Sequence, residues 1–301
     1  MNKKYLVKIF ATILLFSLAI FKLNILEMLN MLANSNIVLI TISLFFIPIL
    51  YSIRVLKWDV LLRSVGLDYS RITLFRVLLI GMFYGLITPG KSGEIIRAYY
   101  LDSEKSITIP TIIWDKIIDI FVLIILSVIS ILFLFYETKL YFVAIFLIVI
   151  FFFVLGIFLN KKITCYFLSL ININENSTKQ FIETIHVIKN DKMLLLKLFT
   201  LSIFYYSFAI IMSEVLLKAL RSEINPYAVF ILPIIVLVGN IPITISGLGL
   251  REYISVISFG ILGESAAIGF SFSILIFLTI TLIPGLIGYI FIMKGGNKFK
   301  I

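Results

Sequence analysis

Two short stretches of this sequence combine helix-breaking residues with charge. The first reads Thr88-Pro-Gly-Lys-Ser-Gly-Glu-Ile-Ile-Arg97. Pro89 and Gly90 end one helix, and Ser92 or Gly93 can begin the next. The start of a helix exposes free amide groups and the positive end of its dipole, which favour an anion such as phosphate. Lys91 and Arg97 add full positive charges there, and Glu94, three residues before Arg97, shares its helix face and is placed to neutralise it. The second stretch, Asn240-Ile-Pro-Ile-Thr-Ile-Ser-Gly-Leu-Gly-Leu-Arg-Glu252, repeats the pattern. Pro242 and Gly247 break the chain, and a helix carrying Arg251 and Glu252 follows. Adjacent residues on a helix point about 100° apart, so these two are expected to meet different partners.

A third charged group, Trp114-Asp-Lys-Ile-Ile-Asp119, lies between them in the first half of an apolar run. Asp115 and Asp119 fall on one helix face, where two acids four apart repel, so the pair needs a cation: Lys116, Lys91 or Arg97. Each charge at the centre of a membrane costs roughly 2.5–3.5 kcal/mol on insertion scales, which marks these residues as functional candidates. The alternative is that Asp115 and Lys116 reach the cytoplasmic interface along their own stems.

The elements that must position these residues are membrane helices. Of 301 residues, 61% are hydrophobic and 14% charged, and the mean hydropathy is +1.14, so water is not the main solvent. A spanning helix needs about 20 apolar residues. Such runs occupy Tyr5 to Ile25, Asn36 to Leu56, Thr108 to Tyr136, Leu140 to Leu159, Leu194 to Leu217 and Ala266 to Met293. Two further apolar stretches, Ile72 to Leu101 and Pro226 to Gly263, contain the broken motifs. The first run follows Lys3, Lys4 and Lys8, and it continues past the small-residue site at Ser17 to Ala19, which suits a retained span better than a cleaved signal.

Basic residues cluster between the runs. Nineteen fall on one side, including five from Arg54 to Arg76 and six from Lys161 to Lys197, against five on the other: Lys22, Lys139, Lys218, Arg221 and Arg251. By the positive-inside rule both termini are cytoplasmic. The count closes only if each broken stretch enters the membrane and returns to the face it left. The expected fold is therefore all-α: a polytopic helical bundle with two re-entrant helical hairpins in an inverted repeat. Residues 1–301 form a single domain, with a cytoplasmic loop at about 160–192 as the longest polar stretch.

Several other chemistries are excluded or weak. The net charge of +10 follows the loops, so no nucleic-acid partner is expected. One cysteine, Cys165, and one histidine, His186, provide neither a disulfide nor a zinc cluster, and no metal or cofactor is expected. Gly85 to Ser92 satisfies a nucleotide-binding pattern, but it lacks the preceding strand and the acidic magnesium ligand that the chemistry needs. Asn176-Ser-Thr178 matches a glycosylation acceptor on the cytoplasmic side, where it carries no meaning. Glu214 and Lys218 make an i, i+4 interface pair, and the aromatic residues receive no site role.

The two motifs resemble those of the lysylphosphatidylglycerol synthase transmembrane, or flippase-like domain, family. Pro89, Gly90, Lys91, Gly93, Glu94 and Arg97 match its first motif. Pro242, Ser246, Gly247, Leu248, Gly249, Arg251 and Glu252 match the second, with a shift in register near Thr244 and Ile245. Asp115-Lys116-Ile-Ile-Asp119 is a conservative variant of its middle-span motif. The resemblance implies that the membrane part of two-domain relatives flips an aminoacylated phospholipid and a soluble domain attaches the amino acid; here no soluble synthase domain is expected.

The leading expectation is a flippase in the cytoplasmic membrane. A phospholipid or polyprenyl-phosphate headgroup would enter a polar cavity, with Lys91, Arg97 and Arg251 receiving its phosphate and Glu94, Glu252 and Asp119 balancing those cations. Ser92, Gly93, Asp115, Lys116, Ser246, Gly247 and Gly249 complete the substrate-binding set, and Pro89, Gly90 and Pro242 act as helix breaks. The alternatives are a membrane-embedded transferase using Asp119 or Glu94 as base, and a secondary transporter of ions or small solutes. Expected partners are the lipid, a second copy of the chain and a separate lipid-modifying enzyme.

Overall fold

A computed structural model of the chain describes residues 3–21, 25–135, 141–160, 163, 164, 166, 174–221 and 223–295. The described residues are overwhelmingly helical and no strand occurs among them, as the apolar composition demands. In hydrocarbon each backbone N–H and C=O must be satisfied within the protein, and a helix does this within one segment.

Among the described residues four helices are long and apolar enough to cross a membrane: Ile37–Ser64, Lys105–Leu134, Lys192–Leu220 and Ala266–Lys294. The first comprises α3 (Ile37–Leu44), capped by the Asn36 side chain, and α4 (Phe46–Ser64). It follows α1 (Lys3–Phe21) and α2 (Ile25–Ala33). α5 (Arg71–Ile87) leads into a 3₁₀ helix, Ser92–Tyr100, and then into α6 (Lys105–Leu134) and α7 (Tyr141–Leu159). α1 and α7 are helical where the first and fourth apolar runs were read.

The polar stretch after α7 holds more order than a loop. Asn174 accepts a hydrogen bond from Ser177 N at 2.7 Å and starts α8 (Glu175–Asn190). Phe181, Ile182, Ile185 and Ile188 are buried on this helix, which packs against α6, and Ser106 Oγ donates to Gln180 Oε1 at 2.6 Å. The apolar spacing at i, i+1, i+4 and i+7 is that of an amphipathic helix. Lys161, Lys162, Cys165 and residues 167–173 lie outside the described residues, as do Lys22, Lys139 and 296–301.

α9 (Lys192–Leu220) is followed by a 3₁₀ turn, Pro226–Ile231, then α10 (Leu232–Gly239) and α11 (Leu250–Ile261). α12 (Ala266–Phe277) continues through a π-helical turn, Leu278–Leu282, into α13 (Ile283–Gly295). Pro284 has no N–H to give the Ile280 carbonyl four residues before it, and the Tyr51 hydroxyl donates to that carbonyl at 2.8 Å. This bond ties α4 to the irregular turn. Tyr51→Phe is expected to lower stability by ~1 kcal/mol, read as a lower unfolding temperature in detergent.

Both charged motifs are helical hairpins whose broken ends touch. α5 turns at Thr88 to Lys91 and the 3₁₀ helix packs back along it; α10 turns at Asn240 to Gly249 and α11 packs back on α10. Pro89 and Ile245 pair as an isolated antiparallel bridge, and Ser246 N donates to Thr88 O at 3.2 Å. Each turn contains two successive residues of positive φ: Gly90 and Lys91 at 57° each, and Ser246 at 50° with Gly247 at 78°. A side chain at Gly90 would start 2.9 Å from Asn240 O, in the opposing turn. Glycine there lets the turns meet, while the strained conformations of Lys91 and Ser246 are of the kind that concentrates at functional sites.

Candidate functional site

Four elements bring buried charge together beside the paired turns. α4 contributes Arg54 and Lys57, which share a face three residues apart. The 3₁₀ helix contributes Glu94 and Arg97, α6 contributes Asp115, Lys116 and Asp119, and the first turn contributes Lys91. Asp115 receives Arg97 Nη2 at 2.7 Å on Oδ2 and Lys57 Nζ at 2.9 Å on Oδ1. Lys57 also pairs with Asp119 and donates to Ser202 Oγ at 3.1 Å, while Ser202 Oγ donates to Asp119 at 2.9 Å. The repulsion between the two acids is therefore relieved from α4. Arg97, 1% exposed, stacks over Trp58 at 4.4 Å.

Glu94 accepts Arg54 Nη2 at 3.1 Å and Lys116 Nζ at 2.8 Å. This corrects the pairing expected with Arg97: Arg97 is drawn to Asp115 and Glu94 to two cations from other helices. It also removes the alternative in which Asp115 reaches the interface, since that side chain is 2% exposed and doubly paired. Arg54 and Lys57, counted in sequence with a basic cytoplasmic loop, are instead buried on α4.

The charges segregate. Lys57 and Arg97 balance Asp115 and Asp119. Arg54, Lys116 and Lys91 face Glu94 alone, a formal surplus of two positive charges. Among the described residues the Lys91 ammonium has one polar contact, Thr281 Oγ1 at 3.4 Å, and Glu94 Oε1 is buried without a hydrogen-bond partner. A narrow cleft of about 40 Å³ opens onto Arg54, Lys91, Glu94, Lys116, Asp119 and Asn240, with Tyr205 and Tyr206 on its wall. A buried charge is costly unless compensated. Such a cleft is suited to an anion at the three cations and a hydroxyl or amine donor at Glu94 Oε1.

The charged pair of the second motif makes its own bonds, none of them to this cluster. Glu252 Oε2 accepts Gly249 N at 2.6 Å, capping α11, and its Oε1 accepts Arg251 Nε at 2.9 Å and Ser273 Oγ at 3.2 Å. Arg251 and Glu252 thus meet each other, contrary to the expected separation, because capping folds the carboxylate back over the helix start. Arg251 stacks on Phe277 at 4.1 Å, and its Nη2 is buried without a partner among the described residues. Ser92 is exposed, Gly93 N donates to Thr88 Oγ1 at 2.7 Å, and Ser246 is buried at the turn. Glu214 and Lys218 form the expected exposed pair at 2.7 Å.

The family described as lysylphosphatidylglycerol synthase TM region matches residues 5–288. The chain belongs to this family. A UPF0104 membrane protein from Methanothermobacter thermautotrophicus is 32% identical over 105 residues, which are 33% of this chain and 30% of that protein. The match therefore spans under a third of the relative's length. As a member of the lysylphosphatidylglycerol synthase TM region family with four long apolar helices, the chain is a multi-pass membrane protein.

Sequence reasoning about this family member missed Arg54, Lys57, Ser202 and Thr281. The signal for the first two was present: an arginine and a lysine three apart inside the apolar face of a span, where charges are rare unless paired. Ser202 and Thr281 carry no such signal, since single hydroxyls are ordinary in membrane helices.

Proposed function

We propose that this chain is a flippase, moving a phospholipid or another phosphate-bearing lipid such as a polyprenyl phosphate across the cytoplasmic membrane. The observation that carries the reading is the surplus of positive charge in the cleft beside the joined turns. Lys91, Lys116 and Arg54 receive the phosphate, and Glu94 takes a donor from the rest of the headgroup. Arg97, Asp115, Asp119 and Lys57 form the frame that holds those groups in place. Lipid tails stay in hydrocarbon, so only the headgroup needs a polar path.

In this reading residues 72–101 and 226–263 are re-entrant hairpins entering from opposite faces as the halves of an inverted repeat, and both termini are cytoplasmic. The antiparallel bridge between Pro89 and Ile245, and the matching positive-φ pairs, support that relation. Pro89, Gly90 and Pro242 break the helices, and Ser92, Gly93, Ser246, Gly247 and Gly249 line the turns that part and rejoin as one half rocks against the other. Arg251, with a free Nη2, offers a second anion position, and Glu252 holds it. Membership of a family named for a lipid synthase supports a lipid substrate.

The test is transbilayer movement of a headgroup-labelled anionic phospholipid in liposomes containing the purified protein. Loss of label to a membrane-impermeant quencher should run well beyond half of the lipid, against about half in protein-free liposomes. A protein-containing sample indistinguishable from the protein-free one overturns the reading.

A further inference from the structure

An apolar groove runs along the side of α6 that carries Trp114 and Phe121, lined also by α7 and α9. Its first part holds about 490 Å³ and includes Trp114, Phe121, Phe152 and Phe199; among the described residues one charged side chain, Lys189 at the end of α8, borders it. A second hollow of about 230 Å³ shares Phe121, Phe151 and Phe152 and continues to Ile129. Phe121 stacks on Phe151 at 5.3 Å, so the two parts share an aromatic wall.

The groove has a polar end and an apolar end. Lys189 lies where α8 ends and α9 begins, near Leu159 at the end of α7, while Val128, Ile129 and Ile148 close the far end. From Trp114 to Ile129 the helix rises roughly 22 Å, more than half of the ~30 Å hydrocarbon core. That length accommodates a chain from one leaflet. Lys189 makes no ion pair among the described residues, so its charge is available to a headgroup at the mouth.

We propose that this groove is a second lipid site, holding one acyl chain of an anionic glycerophospholipid with the headgroup against Lys189. It is separate from the charged cleft, whose lining residues it does not share. The site stands whether or not the chain transports lipid, since it rests on the groove and on Lys189 at its mouth.

The chain reports on the groove by its own fluorescence. It has two tryptophans: Trp58, fully buried beneath Arg97, and Trp114 in the groove wall. The full chain is placed in phosphatidylcholine vesicles containing rising fractions of phosphatidylglycerol or phosphatidylcholine with brominated chains. Brominated phosphatidylglycerol should reach half-maximal quenching at about a fivefold lower mole fraction, the effect of one lysine beside an anionic headgroup. Lys189→Glu, a change at an exposed side chain, should erase the difference, and Trp114→Phe should remove the quenched component. Equal quenching by the two lipids, or a preference that survives Lys189→Glu, overturns the proposal and leaves ordinary lipid solvation of the helix surface.

Discussion

Lys57→Met lowers the stability of the detergent-solubilised protein by ~3–5 kcal/mol, the usual cost of stripping one partner from a buried ion pair. Lys57 is 2% exposed and holds Asp115, Asp119 and Ser202 at once. Arg97 remains beside Asp115 after the substitution, but Asp119 keeps only the Ser202 hydroxyl. The loss is expected as early unfolding in a thermal melt followed by size-exclusion chromatography. Adding Asp119→Asn should restore much of it, because an amide is far cheaper to bury than a carboxylate. A Lys57→Met protein as stable as the wild type would show that the cluster is wet and its charges uncoupled.

Lys91→Ala has the opposite profile. Its ammonium makes no ion pair among the described residues and touches only Thr281 Oγ1, so its removal should leave stability within ~0.5 kcal/mol. Lipid movement should fall ~10- to 100-fold, the worth of one charge-assisted hydrogen bond to a phosphate at ~1.5–3 kcal/mol. Lys91→Arg keeps the charge and should retain a large part of the rate. The comparison separates frame from ligand: Lys57 is expected to matter first for folding, Lys91 first for transport. Equal transport by wild type and Lys91→Ala would remove Lys91 from the headgroup site.

Much of this was legible from residue type. The apolar runs required helices, and Pro and Gly beside charged residues marked both turns, whereas Pro284 and Gly285, with no charge beside them, stay within α13. The charged residues of the two hairpins were visible for the same reason. Their pairing was not, since it depends on how helices distant in sequence pack. Glu94 and Arg97 share a face of one short helix, yet each is taken by a stronger partner from elsewhere. Arg54 and Lys57 were hidden by their closeness to basic loop residues, which made them resemble topology signals. Arg251 and Glu252 were misjudged because ideal helix geometry ignores capping, which redirects a carboxylate at the first turn.

Breaking α5 and α10 leaves backbone N–H and C=O groups at the two turns that need partners outside their own helices. Each turn covers part of the other, through the Pro89–Ile245 bridge and the bond from Ser246 N to Thr88 O. The contact that satisfies the backbone also lies beside the cluster, so moving one hairpin against the other would alter access to Lys91.

The proposed occupant of the cleft is an anionic lipid headgroup, and the direct measurement is the lipid that leaves the membrane with the protein. Mass spectrometry of the purified Lys189→Glu chain, in which the groove's cation is removed, should find anionic lipid enriched over its share of the surrounding membrane. The same chain carrying Lys91→Ala and Lys116→Ala should lose that enrichment while remaining folded. No enrichment in the first protein, or equal enrichment in both, would contradict the assignment of the cleft to a lipid phosphate.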